Sequence, residues 1–315
     1  MRRLMYIFLC ILVSVSCEHK ELCYDHSHTI DVNISFDWAN APDAAPKSMS
    51  LYLFSEDGSN PQRYEFVGRD GGTIRVVPGI YHAICLNSDT ENICHKNTET
   101  YSTYTLTTDE VPLLAGMSAF GFVTKSPPMA KGTEDQSVIA QSEKLWCHQA
   151  SGLELSEHGQ GLTMSPEVAY THVTIEIQNV ENLVYTSAIS GVLSGMADGY
   201  MVGLDQVSSG LATVPFELNQ TGGPDALEGE LYAFGHCPES AGSHILTVYA
   251  VLRDGTQWYY PVDVTEQMHE DEDHAIHIVL DHLPIPEPEP GTGEGGGGFI
   301  PTIDDWNTMY FDINM

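Results

Sequence analysis

Apolar side chains recur at every second position along most of this chain, in runs broken by turn residues, and such a pattern cannot be folded into a helical domain. In HTIDVNISFDW (28–38), Ile30, Val32, Ile34, Phe36 and Trp38 fall on one face and Asp31, Asn33, Ser35 and Asp37 on the other. Successive side chains of an extended chain point to opposite faces, so the segment reads as a half-buried strand. The loop ANAPDAAPK follows, then MSLYLFSE, Asp57-Gly58, YEFVGR, Gly71-Gly72, TIRVV, Pro78-Gly79 and GIYHAICLNS. TYTLTT, SAFGFVT and LELSE are further strand candidates. Glycine, proline and Asp-Gly pairs between apolar runs mark reversals.

A second set begins near Glu167 with VAYTHVTIEIQNV and continues through VYTSAISGVL, ATVPFEL, GELYAFGHC, HILTVYAVL, TQWYYPVDVT and AIHIVLDHL. Asp254-Gly255 is the strongest hairpin signal in the chain. Each set has strands enough for a sandwich, and 315 residues leave room for two domains. The predicted fold class is therefore all-β, with tandem β-sandwich domains over 28–160 and 161–283. Both sets open on a long alternating strand, which suggests one fold used twice.

The C-terminus has a different composition. PIPEPEPGTGEGGGG (284–298) is a charged Pro/Gly linker, unsuited to a core, that holds the last residues of the chain away from the preceding domain. In residues 299–315, Met309, Phe311, Ile313 and Met315 alternate with Tyr310, Asp312 and Asn314, with Trp306 just upstream. This is the pattern of a strand with one buried face. A solitary strand is unstable in water, so it must complete a sheet in its own chain or in another.

The N-terminus reads as a lipoprotein export signal. Arg2 and Arg3 precede the short apolar run LMYIFLCILVSV, and Ser16 sits before Cys17. Residues 1–16 are the predicted signal peptide, Cys17 the acylated residue that tethers the chain to the outer membrane, and 17–27 the tether. Removing the signal leaves 10 Lys+Arg against 44 Asp+Glu. Such a surface repels nucleic acid, and no nucleic-acid partner is expected.

Chemical motifs are sparse. The later cysteines, Cys23, Cys85, Cys94, Cys147 and Cys237, form no CxxC and read for the most part as unpaired buried thiols, although Cys85 and Cys94 flank a loop and could bridge in an oxidising compartment. HEDEDHAIHIVLDH (269–282) is dense in ligands, but His274 follows His269 by five positions, which does not match the H-E-x-x-H helix of zinc proteases. It reads as a solvated acidic turn, so no metal or cofactor is expected. No nucleophile elbow or phosphate loop occurs, and the chain is read as non-enzymatic. Trp258, Tyr259 and Tyr260 could stack on a sugar or fill the core.

SCEHKELCYDHSHT leading into VNISFDW, PVDVTEQM with IHIVLDHLPIP, and the tail GGGGFIPTIDDW resemble the fimbrillin-like lipoproteins of the Bacteroidetes type V pilus superfamily, within it a family labelled as of unknown function. The resemblance implies two tandem transthyretin-like β-sandwich domains with a tethered C-terminal strand. It also implies pilin subunits as partners by β-strand addition, in which an Arg-specific protease removes one subunit's first strand and another's C-terminal strand fills the groove. The matching donor positions are Trp306, Met309, Phe311, Ile313 and Met315. One departure matters. The loop after the first strand holds Lys47 but no arginine, and the first arginine of the mature chain, Arg63, lies beyond the second strand. Those two are the candidate proteolytic sites. An uncut chain could donate a tail and not accept one, which suggests an anchor or accessory subunit. The second reading is a surface adhesin, with a host-protein or glycan ligand and its tail folded onto its own domain.

Overall fold

The structure is a computed structural model that describes residues 28–120, 127–156, 161–236, 243–270, 274–288 and 306–310. The first half contains β1 (Ile30–Phe36), β2 (Ser48–Ser55), β3 (Gln62–Val67), β4 (Gly71–Val76), β5 (Gly79–Asn87), β6 (Cys94–Lys96), β7 (Thr105–Thr107), β8 (Ser137–Val138), β9 (Trp146–Leu155), β10 (Leu162–Met164) and β11 (Glu167–Val168). Two layers face each other, β10-β1-β4 and β11-β9-β5-β2-β3. Val32, Ile34 and Phe36 of β1 meet Met49, Leu51 and Leu53 of β2 and Ala83 and Cys85 of β5 in the core between them. The alternation that marks β1 in the sequence thus aims its apolar face at that core.

The second half contains β12 (Thr171–Glu181), β13 (Thr186–Ala197), β14 (Gly199–Met201), β15 (Gln206–Val207), β16 (Leu211–Gln220), β17 (Leu227–Ala233), β18 (Ile245–Leu252), β19 (Gln257–Asp263), the helix α1 (Thr265–Glu270), β20 (Ala275–Pro284) and β21 (Trp306–Thr308). Its main strands run β20-β12-β17-β16-β13-β18-β19-β21. The first part of β16 pairs with β13 and its last residues with β17, so one strand joins both layers. Val173, Ile175 and Ile177 of β12, Phe216 of β16, Val248 of β18 and Ile278 of β20 fill the core.

The halves share a topology. In each, the first long strand lies between a parallel strand from that half's end and an antiparallel one, as β10-β1-β4 and β20-β12-β17. The opposing layers, β9-β5-β2-β3 and β19-β18-β13-β16, also correspond in order. β11 and β21 then occupy equivalent places, each outside the last strand of that layer. β10, just past residue 160, pairs with β1. At the other end, Pro284 closes β20 and Ile285 is buried in the second core, its carbonyl accepting a bond from Asn182 Nδ2 at 2.8 Å. An isoleucine between two prolines still packs when the strand before it ends beside the core.

A small sheet, β15-β14-β7-β6, draws strands from both halves. Its Leu106 and Tyr200 cover the outer side of β2 and β5, burying Tyr52, Phe54, Ile84 and Leu86. The near-continuous apolar runs of β2 and β5 therefore serve two cores. The first three residues of SAFGFVT are not in the strand that its composition suggests. Ala115–Phe120 forms a 3₁₀ helix, with Leu114 and Met117 packed on Val192 and Tyr249, and residues 121–126 lie outside the described set.

Cys85 and Cys94 are both free, contrary to a bridge between them. Cys85 faces the first core, whereas Cys94 sits on β6 with its Sγ 3.4 Å from Asp109 Oδ1. Burial pushes the Cys85 thiol well up and the Cys147 thiol up to about 12. Burial and the neighbouring Asp109 carboxylate push the Cys94 thiol up as well, so access decides, and a thiol reagent at mildly alkaline pH followed by peptide mass mapping should label the partly exposed Cys94 in the native protein. Cys85 and Cys147 should react only after denaturation.

Candidate functional site

Two places concentrate features that a simple scaffold does not need. The first is the edge where the tail docks. Trp306–Thr308 pairs in parallel with β19, matching Trp306 to Gln257, Asn307 to Trp258 and Thr308 to Tyr259. Asn307 Nδ2 donates to the Gln257 carbonyl at 3.2 Å, and the Met309 N–H to that of Tyr259 at 3.3 Å. The aromatic run read as a sugar platform or core filler divides by position. Tyr260 is in the main core and Trp258 packs on that core from the same face, while Tyr259 lies on the other face beside Tyr249, where Trp306 also packs. The Trp306 ring meets Tyr249 edge-on, centroids 5.3 Å apart, and Met309 packs on the main core.

This docking is thin. Asn307 and Thr308 are exposed, Tyr310 is 72% exposed, and Trp306 Nε1 is buried without a hydrogen-bond partner. An orphaned buried donor costs about 1–3 kcal/mol, which offsets part of what burying the indole contributes. Phe311, Ile313 and Met315, the remaining donor positions, lie outside the described residues, as does Cys17. No helix among the described residues is long and apolar enough to cross a membrane.

The first strand is held firmly in place. β1 pairs with β4 and β10 and contributes core residues along its length. The loop behind it is packed, with Ala41 and Ala44 buried and the Trp38 indole donating to the Arg69 carbonyl at 2.8 Å. Of the candidate proteolytic residues, Lys47 directly precedes β2, and its carbonyl accepts the Gly68 N–H at 2.8 Å. Arg63 lies within β3, opposite Tyr52, and is bridged to Glu65. A protease needs an extended, unpaired segment, and neither position offers one.

The second place is a histidine cluster assembled from separate elements. His236 lies beyond the end of β17, His244 just before β18, and His269 in α1. Their ring centroids are 4.8–5.6 Å apart. One nitrogen from each lies within 4.8 Å of the others. A bulge in β13 shapes this site. Gly195 interrupts the pairing of Ser194 and Met196 with β16 at a φ of +84°, and a Cβ there would come within 2.8 Å of His244 Nδ1. Only glycine suits both that backbone and that clearance. The Ser194 carbonyl lies 3.3 Å from His244 Nδ1, while Met196 forms a bridge with His236. His244 is 1% exposed, and burial pushes its imidazole down to about 4, so it is neutral at ordinary pH.

HEDEDH thus does not act as a local motif. His269 turns to His236 and His244, whereas His274 borders a cleft of about 520 Å³. His148, Glu167, Tyr200, Asp205 and His236 also line that cleft. His277 lies beside Thr174 and Glu176 on the outer side of the sandwich. The cluster escapes sequence reading because its members are spaced by folding alone.

A family model described as "Domain of unknown function (DUF5119)" matches residues 16–217, more than half of the chain. A Bacteroides ovatus protein named "Putative fimbrium anchoring subunit Fim4B" is 22% identical over 286 residues, covering 84% of this chain and 80% of that one. A crystal structure described as a "putative adhesin" from Bacteroides ovatus aligns with a TM-score of 0.64 at 20% identity, covering 87% of this chain and 98% of the other. Another "putative adhesin", from Bacteroides thetaiotaomicron, aligns at 0.53 and 12% identity over 82% of this chain and 93% of its own. These structures share the fold.

Proposed function

The chain belongs to the DUF5119 family, and from that premise we propose that it is a non-enzymatic, lipid-anchored surface protein, an anchor or accessory subunit of a fimbrium. It joins neighbouring pilins by giving them its C-terminal strand. The observation that carries this reading is the thin docking of the tail: three paired residues on the edge of a sandwich whose seven strands already enclose the core. A partner groove that accepted Met309, Phe311, Ile313 and Met315 along a full strand would offer many more backbone bonds and a place for each apolar side chain. Release from β19 also frees the orphaned Trp306 donor. Retention of β1, with no arginine in the loop behind it, supports a subunit that gives a strand and takes none.

The pairing of Trp306–Thr308 within the chain favours a second reading, a surface adhesin for a host protein or glycan that keeps its tail as a sheet-completing strand. Deleting residues 299–315 separates the two. If the tail is donated, the truncated chain remains folded and membrane-anchored, melts within about 3 °C of the intact protein and no longer co-purifies with pilins. A fall of about 8 °C or more with pilin association retained would overturn donation and favour the adhesin.

A further inference from the structure

We propose that His236, His244 and His269 form a binding site for one divalent transition-metal ion, with zinc the best match, and that the ion staples the ends of β17 and β18 to α1. The donors are of the right kind, since neutral imidazole suits zinc, copper and nickel. Their placement also fits. Three nitrogens within 4.8 Å of one another have a common point no more than about 2.8 Å from any of them. Zinc–nitrogen bonds are ~2.0–2.1 Å long, so sub-ångström ring movements close the site.

His244 supplies the independent observation. A carbonyl can only accept, so the Ser194 oxygen fixes the proton on Nδ1 and leaves a lone pair on Nε2. That Nε2 is buried and has no hydrogen-bond partner. Metal-bound histidines characteristically have their second nitrogen held in this way, by a carbonyl or carboxylate that sets the tautomer. The backbone of His244 is pinned as well. Its N–H donates to Thr265 Oγ1 at 2.8 Å and its carbonyl accepts the Val264 N–H at 2.9 Å, tying the residue to the start of α1. Mere ring packing would not require an orphaned Nε2 or a left-handed glycine beside the ring.

The ion's role in such a site is cross-linking. Three protein ligands leave one coordination position for water. The ion would join three points of the chain separated by residues 237–242 and by the β18–β19 hairpin. A net charge of −32 favours cations at the surface generally, so stoichiometry and variants must carry the test.

The full chain, purified with a histidine-free tag and stripped with chelator, would be titrated with cobalt and then zinc. One equivalent of cobalt should give the visible absorption of a tetrahedral nitrogen site without a thiolate charge-transfer band. Zinc should displace it, and saturating zinc should raise the melting temperature by about 5 °C or more. The double variant His236→Ala/His269→Ala, altered at two partly buried positions, should retain the metal-free melting temperature within about 2 °C and lose both responses. His269→Gln alone guards against a folding defect and should weaken cobalt binding at least about tenfold. No stoichiometric cobalt spectrum in the parent, or an undiminished response in the variants, would overturn the site and leave the rings as simple packing.

Discussion

Replacing Phe216 with alanine is expected to lower the stability of the second sandwich by about 3–5 kcal/mol. The ring is 1% exposed and sits where β16 passes from pairing with β13 to pairing with β17. Two glycines make room for it: a Cβ at Gly191 would meet its Cζ at 2.2 Å, and one at Gly229 its Cε2 at 2.8 Å. A side chain that requires two bare backbones around it acts as the spacer of that corner. Gly191→Ala alone should cost about 1–3 kcal/mol by overpacking. The two substitutions should be strongly non-additive, because the added methyl enters the space that the lost ring vacates. Urea unfolding of the single and double variants reads this directly. Additive losses, or a loss below about 1 kcal/mol for Phe216→Ala, would show that the corner does not depend on the ring.

The strands legible in the sequence are those with one wet face. β1, β12 and β20 alternate cleanly because Asp31 and Asn33, His172 and Thr174, or His277 and Asp281 face away from the core. Strands of two or three residues, such as β6, β14 and β15, are too short for periodicity to register, and the pairing of β14 with β7 that joins their two hairpins into one sheet comes from contact between the halves. The beginning of β9, WCHQASG, escapes the same reading because it carries polar residues and a left-handed glycine at Gly152. SAFGFVT has strand-like composition, yet its first three residues belong to a 3₁₀ helix. The tail strand is legible by alternation, but its present partner is not: an edge has no local signature. For the same reason the histidine cluster has no trace in the sequence. Its ligand positions are set by a bulge at Gly195 and a helix after Asp263, both consequences of tertiary packing.

Arg69→Ala is expected to open the loop between β1 and β2 and speed tryptic cleavage after Lys47 by roughly 30-fold or more. The Arg69 Nη1 donates to the Ala44 carbonyl at 2.8 Å, and its guanidinium lies 5.0 Å from the Trp38 ring centre. A hydrogen bond from a charged donor contributes about 1.5–3 kcal/mol, and an exposed cation–π contact about 0.5–1 kcal/mol. Together they hold a loop that would otherwise sample open forms, and cleavage follows the open population when reclosing is fast. At about 1.4 kcal/mol per factor of ten, their loss accounts for the predicted acceleration. Arg69→Lys should recover only part of the protection, because lysine lacks the planar fork that can donate to Ala44 while stacking on Trp38. The same clamp bears on assembly. Placing an arginine at the end of the loop, as Lys47→Arg, should not by itself admit an Arg-specific protease, whereas Lys47→Arg combined with Arg69→Ala should. Mass mapping of the products at residue 47 distinguishes these cases, and equal cleavage of the two chains would mean that the missing arginine, and not the clamp, keeps the first strand covalently attached.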